Sequence, residues 1–133
     1  MKHLLTSLLL LIGLTGLAQP TYLDLTLQLD NYPSETSWLL AQGTDTIAYV
    51  PFGTYQEEFF SSFLIEETFL LESNIEYKFY IFDSFGDGNC CEFGEGWISA
   101  ENNCEGIIFE EYEFDNSSMN FIFTLDPCEI PPP

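Results

Sequence analysis

The stretch Tyr22-Leu23-Asp24-Leu25-Thr26-Leu27-Gln28-Leu29-Asp30 places a leucine at every second position and sets Asp24, Thr26, Gln28 and Asp30 between them. Successive side chains of an extended chain point to opposite faces, so this period of two defines a half-buried strand with one leucine face. A helix would scatter the same leucines around its circumference. The pattern recurs at Ile75, Tyr77, Phe79 and Ile81, which share one parity against Glu76, Lys78, Tyr80 and Phe82. Asp83 carries the apolar parity one step further. Outward from these two segments, strands are read over 36–41 around Trp38, and over 46–50, 63–71, 96–101, 107–114 and 119–125. Turn chemistry separates them at Asn31-Tyr32-Pro33-Ser34, Gly43-Thr44-Asp45, Pro51 with Gly53, and the stretches 102–106 and 115–118. Glu72-Ser73-Asn74 predicts a hairpin joining 63–71 to 75–83. Over 54–63, Phe59, Phe60 and Phe63 suit a helical turn as well as a strand edge. About eight short strands without an amphipathic helix predict an all-β fold, an antiparallel β-sandwich over 19–128 with a jelly-roll-like or immunoglobulin-like path.

The chain has 133 residues, 22 Asp and Glu against 2 Lys and Arg, one His, and a formal charge of −20. Neutralising phosphate requires clustered Lys and Arg, so nucleic acid, anionic membrane surfaces and heparin-like polymers are excluded as partners. Hydrophobic residues make up 46% of the chain and aromatic residues 17%, which is enough apolar surface to offset ordering entropy and exclude an acidic disordered tail. One packed domain is expected. Met1, Lys2 and His3 followed by an apolar run from Leu4 to Leu17, with Gly16 and Ala18 before Gln19, read as a secretory signal peptide over 1–18. The run is shorter than the ~20 residues that span a bilayer, so no membrane insertion is expected and the protein is placed outside the cell or at its surface. Once Lys2 and His3 leave with the signal, Lys78 is the one remaining base. Ser-His-Asp triads, Cys-His dyads and His-ligated zinc are then closed. Carboxylate pairs are so plentiful that none stands out for glycoside hydrolysis, and the chain is read as not being an enzyme. Pro131-Pro132-Pro133 reads as a linker into downstream domains of a larger chain.

The stretch richest in chemistry is Asp83-Ser84-Phe85-Gly86-Asp87-Gly88-Asn89-Cys90-Cys91, continued by Glu92-Phe93-Gly94-Glu95-Gly96-Trp97. A carboxylate with core parity at a strand end needs partners. Asp83 either accepts hydrogen bonds from the backbone N–H groups of the glycine-rich loop or joins Asp87, Asn89 and Glu95 as oxygen ligands of a calcium ion. The spacing is not that of an EF-hand, because the third and twelfth positions from Asp83 are Phe85 and Gly94. Of the 13 Phe, 7 Tyr and 2 Trp residues, most must lie in the core. Phe85, Phe93, Trp97 and Tyr112, near the loop, are the candidates for a surface that binds a glycan or an extracellular protein. Asn116-Ser117-Ser118 fits an N-glycosylation acceptor, and Glu110-Glu111-Tyr112-Glu113 reads as a solvated strand face.

The four cysteines allow three pairings, and their even count in an exported chain points to disulfides. If strands 96–101, 107–114 and 119–125 form a meander, Cys104 and Cys128 lie at one end of the sheet and Cys90 and Cys91 at the other. This favours Cys104–Cys128 with a vicinal Cys90–Cys91 bridge over pairing each of Cys90 and Cys91 with one of Cys104 and Cys128.

The residues Asp83-Ser84-Phe85-Gly86-Asp87-Gly88, then Cys90-Cys91, then Gly94-Glu95-Gly96, resemble the "DSxGDGxCC…GxG" signature of β-rich modules appended to large exported bacterial proteases and cell-surface multidomain proteins. Asn31-Tyr32-Pro33 with Glu35-Thr36-Ser37-Trp38 is similar to the opening strand pair of those modules, and Tyr77-x-Phe79 to the strand before the loop. The resemblance implies an extracellular accessory module; the residues themselves point to a non-catalytic, ligand-binding role, with a passive disulfide-stabilised spacer as the alternative. Such modules often carry a Cys pair around the turn before this strand. The matching region, Phe69 to Tyr77, has none, so their disulfide pattern does not carry over.

Overall fold

The computed structural model describes residues 19–57 and 63–128. The segment 1–18 read as a signal peptide, the aromatic pair Phe59 and Phe60, and the proline run 131–133 read as a linker lie outside the described residues. Among the described residues ten strands run in chain order: β1 Pro20–Leu29, β2 Thr36–Gln42, β3 Asp45–Val50, β4 Phe63–Glu72, β5 Tyr77–Asp83, β6 Cys90–Cys91, β7 Gly94–Glu95, β8 Trp97–Asn102, β9 Gly106–Glu111 and β10 Ser118–Phe123. They form two four-stranded antiparallel sheets, ordered β4-β1-β8-β9 and β10-β5-β2-β3, and a small β6-β7 ribbon. This is the antiparallel β-sandwich that the alternating segments predict.

The leucine face of β1 closes the sandwich from one side. Leu23, Leu25, Leu27 and Leu29 are buried against Trp38 and Leu40 of β2 and Tyr77, Phe79 and Ile81 of β5. Burying each such side chain contributes about 1.5–3 kcal/mol, which makes this two-sided row the main source of stability. Trp38 meets Phe69 of the opposite sheet edge-on at 6.3 Å, and its indole N–H donates to the Tyr55 hydroxyl at 2.9 Å. That bond satisfies a polar atom which burial would otherwise leave without a partner.

Two connections differ from the sequence reading. The segments 63–71 and 75–83 are not a hairpin: β4 pairs along its whole length with β1, whereas β5 lies in the other sheet between β2 and β10. The turn between them is held to both ends of the described fold. Ser73 Oγ accepts from the Gln19 N–H at 2.9 Å, the Ser73 N–H donates to Gln19 O at 2.7 Å, and the Asn74 N–H donates to Leu125 O at 2.8 Å. With its backbone bonds used in this way, and with Asn74 at a φ of 60°, the turn passes the chain from one sheet to the other. Nor do the last three strands form a meander. β9 is the edge of the first sheet and β10 crosses to pair with β5, which sets Phe109 against Phe121 across the core at 4.4 Å.

Candidate functional site

The loop from β5 to β8 covers the pole of the sandwich at which β1 ends. Asp83 is the last residue of β5 and pairs with Thr36 of β2. Its core parity leaves it only 6% exposed. Its Oδ2 accepts the N–H groups of Asp87 at 2.8 Å and Gly88 at 2.9 Å, which folds the loop back over the strand end. Gly88 has a φ of +73°, and a Cβ there would stand 2.3 Å from Phe114 O, so the close approach of two backbones admits only glycine. Asn89 is 2% exposed and stands in for a missing strand. Its Oδ1 accepts the Asp30 N–H at 2.9 Å and its Nδ2 donates to Gln28 O at 2.8 Å, continuing β1's ladder where the pairing with β8 stops at Gln28 and Trp97. Its backbone N–H donates to Phe114 O and its carbonyl accepts the Gly96 N–H at 2.8 Å. A Cβ on Gly96 would lie 2.3 Å from that carbonyl.

This fold of the loop gathers acids. Carboxylate oxygens of Glu35, Asp83 and Asp87 lie within 4.8 Å of one another. Glu35 arrives from the 3₁₀ turn Pro33–Glu35, and its carbonyl accepts the Ser84 N–H at 3.0 Å, which fastens that turn to the loop. Asp87 Oδ1 is buried without a hydrogen-bond partner among the described residues. Burial raises the Asp83 carboxyl above the usual carboxylate range, against the N–H bond from Gly88. Glu35 is raised by its partial burial and by the charges of Asp83 and Asp87. Asp30, whose Oδ1 accepts the Tyr32 N–H at 2.9 Å, is raised first by burial and then by the same two charges. Lys78 does not neutralise this pole. It sits on β5 five residues before Asp83, about 17 Å away at the rise of a strand.

The sequence reading grouped Asp83, Asp87, Asn89 and Glu95 as metal ligands. Asp83 and Asp87 are brought together, with Glu35 beside them. Both polar atoms of the Asn89 side chain are engaged by β1, and Glu95 lies in β7, lining a recess at the disulfide rather than facing the acid cluster. Glu35 is far from Asp83 in sequence, and only the register that sets Thr36 opposite Asp83 brings it in. That pairing of strand beginning with strand end was the signal that could have found it.

The cysteines pair as Cys90–Cys91, across a cis peptide bond, and Cys104–Cys128. The second pair is set up by Asn102, whose Oδ1 accepts the N–H groups of Cys104 and Glu105, while Glu105 Oε2 accepts the Asp126 N–H at 3.1 Å. Of the candidate ligand-binding rings, Phe85 is 79% exposed at the loop apex, Phe93 stands edge-on to Tyr32 at 5.6 Å, and Trp97 and Tyr112 lie 6.2 Å apart with ring planes 33° apart. Among the described residues, no helix is long and apolar enough to cross a membrane. No protein-family model, curated protein or solved structure matches the chain.

Proposed function

We propose that the protein is a non-catalytic extracellular accessory module whose loop pole holds a calcium ion between Glu35, Asp83 and Asp87 and presents aromatic rings to a protein ligand. The juxtaposition of the three carboxylates, with Asp87 Oδ1 buried and unpartnered, carries this reading. Calcium takes oxygen ligands at about 2.3–2.6 Å, so oxygens within 4.8 Å of one another are spaced for a common cation. Without one, three anions sit together in a chain of net charge −20. The signal-like start, the disulfides and the resemblance of the loop to exported modules support the compartment. A protein ligand is favoured over a glycan because Trp97 and Tyr112, tilted by 33°, do not form the coplanar surface on which a sugar chain stacks.

The test is the melting temperature of the oxidised chain without its first 18 residues, in millimolar calcium and in excess chelator. A specific site adds about 2.7 kcal/mol at a hundredfold excess over Kd, a rise of several degrees that Glu35→Gln and Asp87→Asn diminish. Identical melting in calcium and chelator, with no heat of calcium binding, overturns the calcium reading. The module is then a spacer stapled by its disulfides, with Asp83 serving only to hold the loop.

A further inference from the structure

At the same pole as the acid cluster, on the outer face of the first sheet, lies a recess of about 360 Å³ lined by Cys90, Cys91, Glu95, Trp97, Tyr112 and Glu113. The cross-strand register builds it. Ile98 of β8 is opposite Glu111 of β9, so Trp97 and Tyr112 follow as outward-facing neighbours at the end of that ladder. The Cys90–Cys91 disulfide joins this wall to the β6-β7 ribbon, in which Cys90 is opposite Glu95. Two aromatic rings thus share one small concavity with two carboxylates. Tyr112 is 54% exposed, and its hydroxyl donates to Glu110 Oε2 at 3.1 Å, which holds the ring at the mouth and adds a third carboxylate there. Aromatic faces and carboxylates together attract an organic cation and offer nothing to an anion.

The same face continues this chemistry along the strands. Asp24 of β1 is opposite Glu101 of β8, and with Glu66 of β4 these residues line a second shallow groove. Glu101 lies four positions beyond Trp97, about 13 Å along a strand, which is within reach of one extended peptide.

We propose that the Trp97–Tyr112 recess receives a lysine or arginine side chain of a basic protein segment laid along this face toward Asp24 and Glu101. The inference rests on the reading of the molecule as a ligand-binding module and names the chemistry of the ligand. Cation–π contact supplies specificity at the recess, and the acidic face supplies steering and a second point of attachment.

Titration of the oxidised chain lacking residues 1–18 with hexalysine, followed by heat and by Trp97 emission, tests it; Trp38 is buried and serves as a constant background. Hexalysine binds and hexaserine does not. Tyr112→Ala, which leaves the charge unchanged at an exposed position, weakens hexalysine binding at least about fivefold, as expected for the loss of a cation–π contact. Glu66→Gln, at the far groove, weakens it less than about twofold. Equal weakening by both variants, or none by Tyr112→Ala, means diffuse attraction between opposite charges and overturns the proposal. Tighter binding of a glucosamine oligomer than of hexalysine assigns the recess to an amino sugar and also overturns it. Each titration is run in calcium and in chelator. A calcium-dependent melting temperature without hexalysine binding removes this inference alone, whereas loss of the calcium effect removes the reading of the acid cluster and leaves the recess to be judged by its own titration.

Discussion

Asn89→Asp changes one atom of the side chain and reverses one hydrogen bond. At neutral pH the new carboxylate still accepts the Asp30 N–H, but it places an oxygen where Nδ2 now donates to Gln28 O at 2.8 Å. One net hydrogen bond is lost, at about 1 kcal/mol, and the part-buried Gln28 carbonyl loses this donor, at about 1–3 kcal/mol. A charge is also confined in a site 2% exposed, close to Asp30. The two hydrogen-bond costs sum to about 2–4 kcal/mol, and the confined charge adds to them. The protonated carboxyl differs: its O–H donates to Gln28 O and restores the native pattern. Burial raises the folded-state pKa of such a group above its unfolded value, so the stability it contributes is present below the unfolded pKa, near 3.9, and is lost as the pH rises through the folded one. Urea denaturation of the oxidised protein at pH 7 and at about pH 3.5 therefore gives a large deficit at the first and a small one at the second, while Asn120→Asp, on an exposed position of β10, shows neither. A deficit below about 1 kcal/mol at pH 7, or one that is the same at both pH values, refutes the role assigned to Asn89.

Gly96→Ala sets a Cβ 2.3 Å from Asn89 O and lowers stability by about 3 kcal/mol, read as a drop in the urea midpoint. Replacing Cys104 and Cys128 by serine opens a 24-residue separation, and chain entropy sets the loss near 3.5 kcal/mol by the same assay. In chelator, the raised carboxyls of Glu35 and Asp83 contribute stability at acid pH that is lost as the pH climbs above the ordinary carboxylate range, so the melting temperature falls from pH 4 toward pH 7 and Glu35→Gln flattens that fall. Phe85→Ser, at a side chain 79% exposed, leaves the melting temperature unchanged within about 1 °C, as substitution of a largely exposed surface ring requires.

The strands were legible because their alternation is a local signal. The parity of Leu23 to Leu29 and of Tyr77 to Asp83 named the core faces correctly, including the buried carboxylate at the strand end. The connections were not. Ser73 and Asn74 read as a hairpin turn because their bonds to Gln19 and Leu125 come from segments remote in sequence. Two halves of the loop pole differed in the same way. Asp83 and Asp87 are close enough in sequence to group themselves, while Glu35 depends on strand pairing that periodicity does not report. Asn89 looked like a ligand because a buried amide that repairs a sheet edge has the same sequence signature as one that binds a cation.

The described fold begins and finishes at one pole. Gln19 is clamped to Ser73, Leu125 to Asn74, and Cys128 to Cys104, whereas the acid cluster and the Trp97–Tyr112 recess lie at the opposite pole, about 30 Å away along β1. Tension drawn through both ends is therefore resisted across the width of the base, by hydrogen bonds and a covalent tie that sit side by side, and little of it runs along the strands to the far pole. A load applied between Gln19 and Cys128 therefore meets the base before it reaches the far pole.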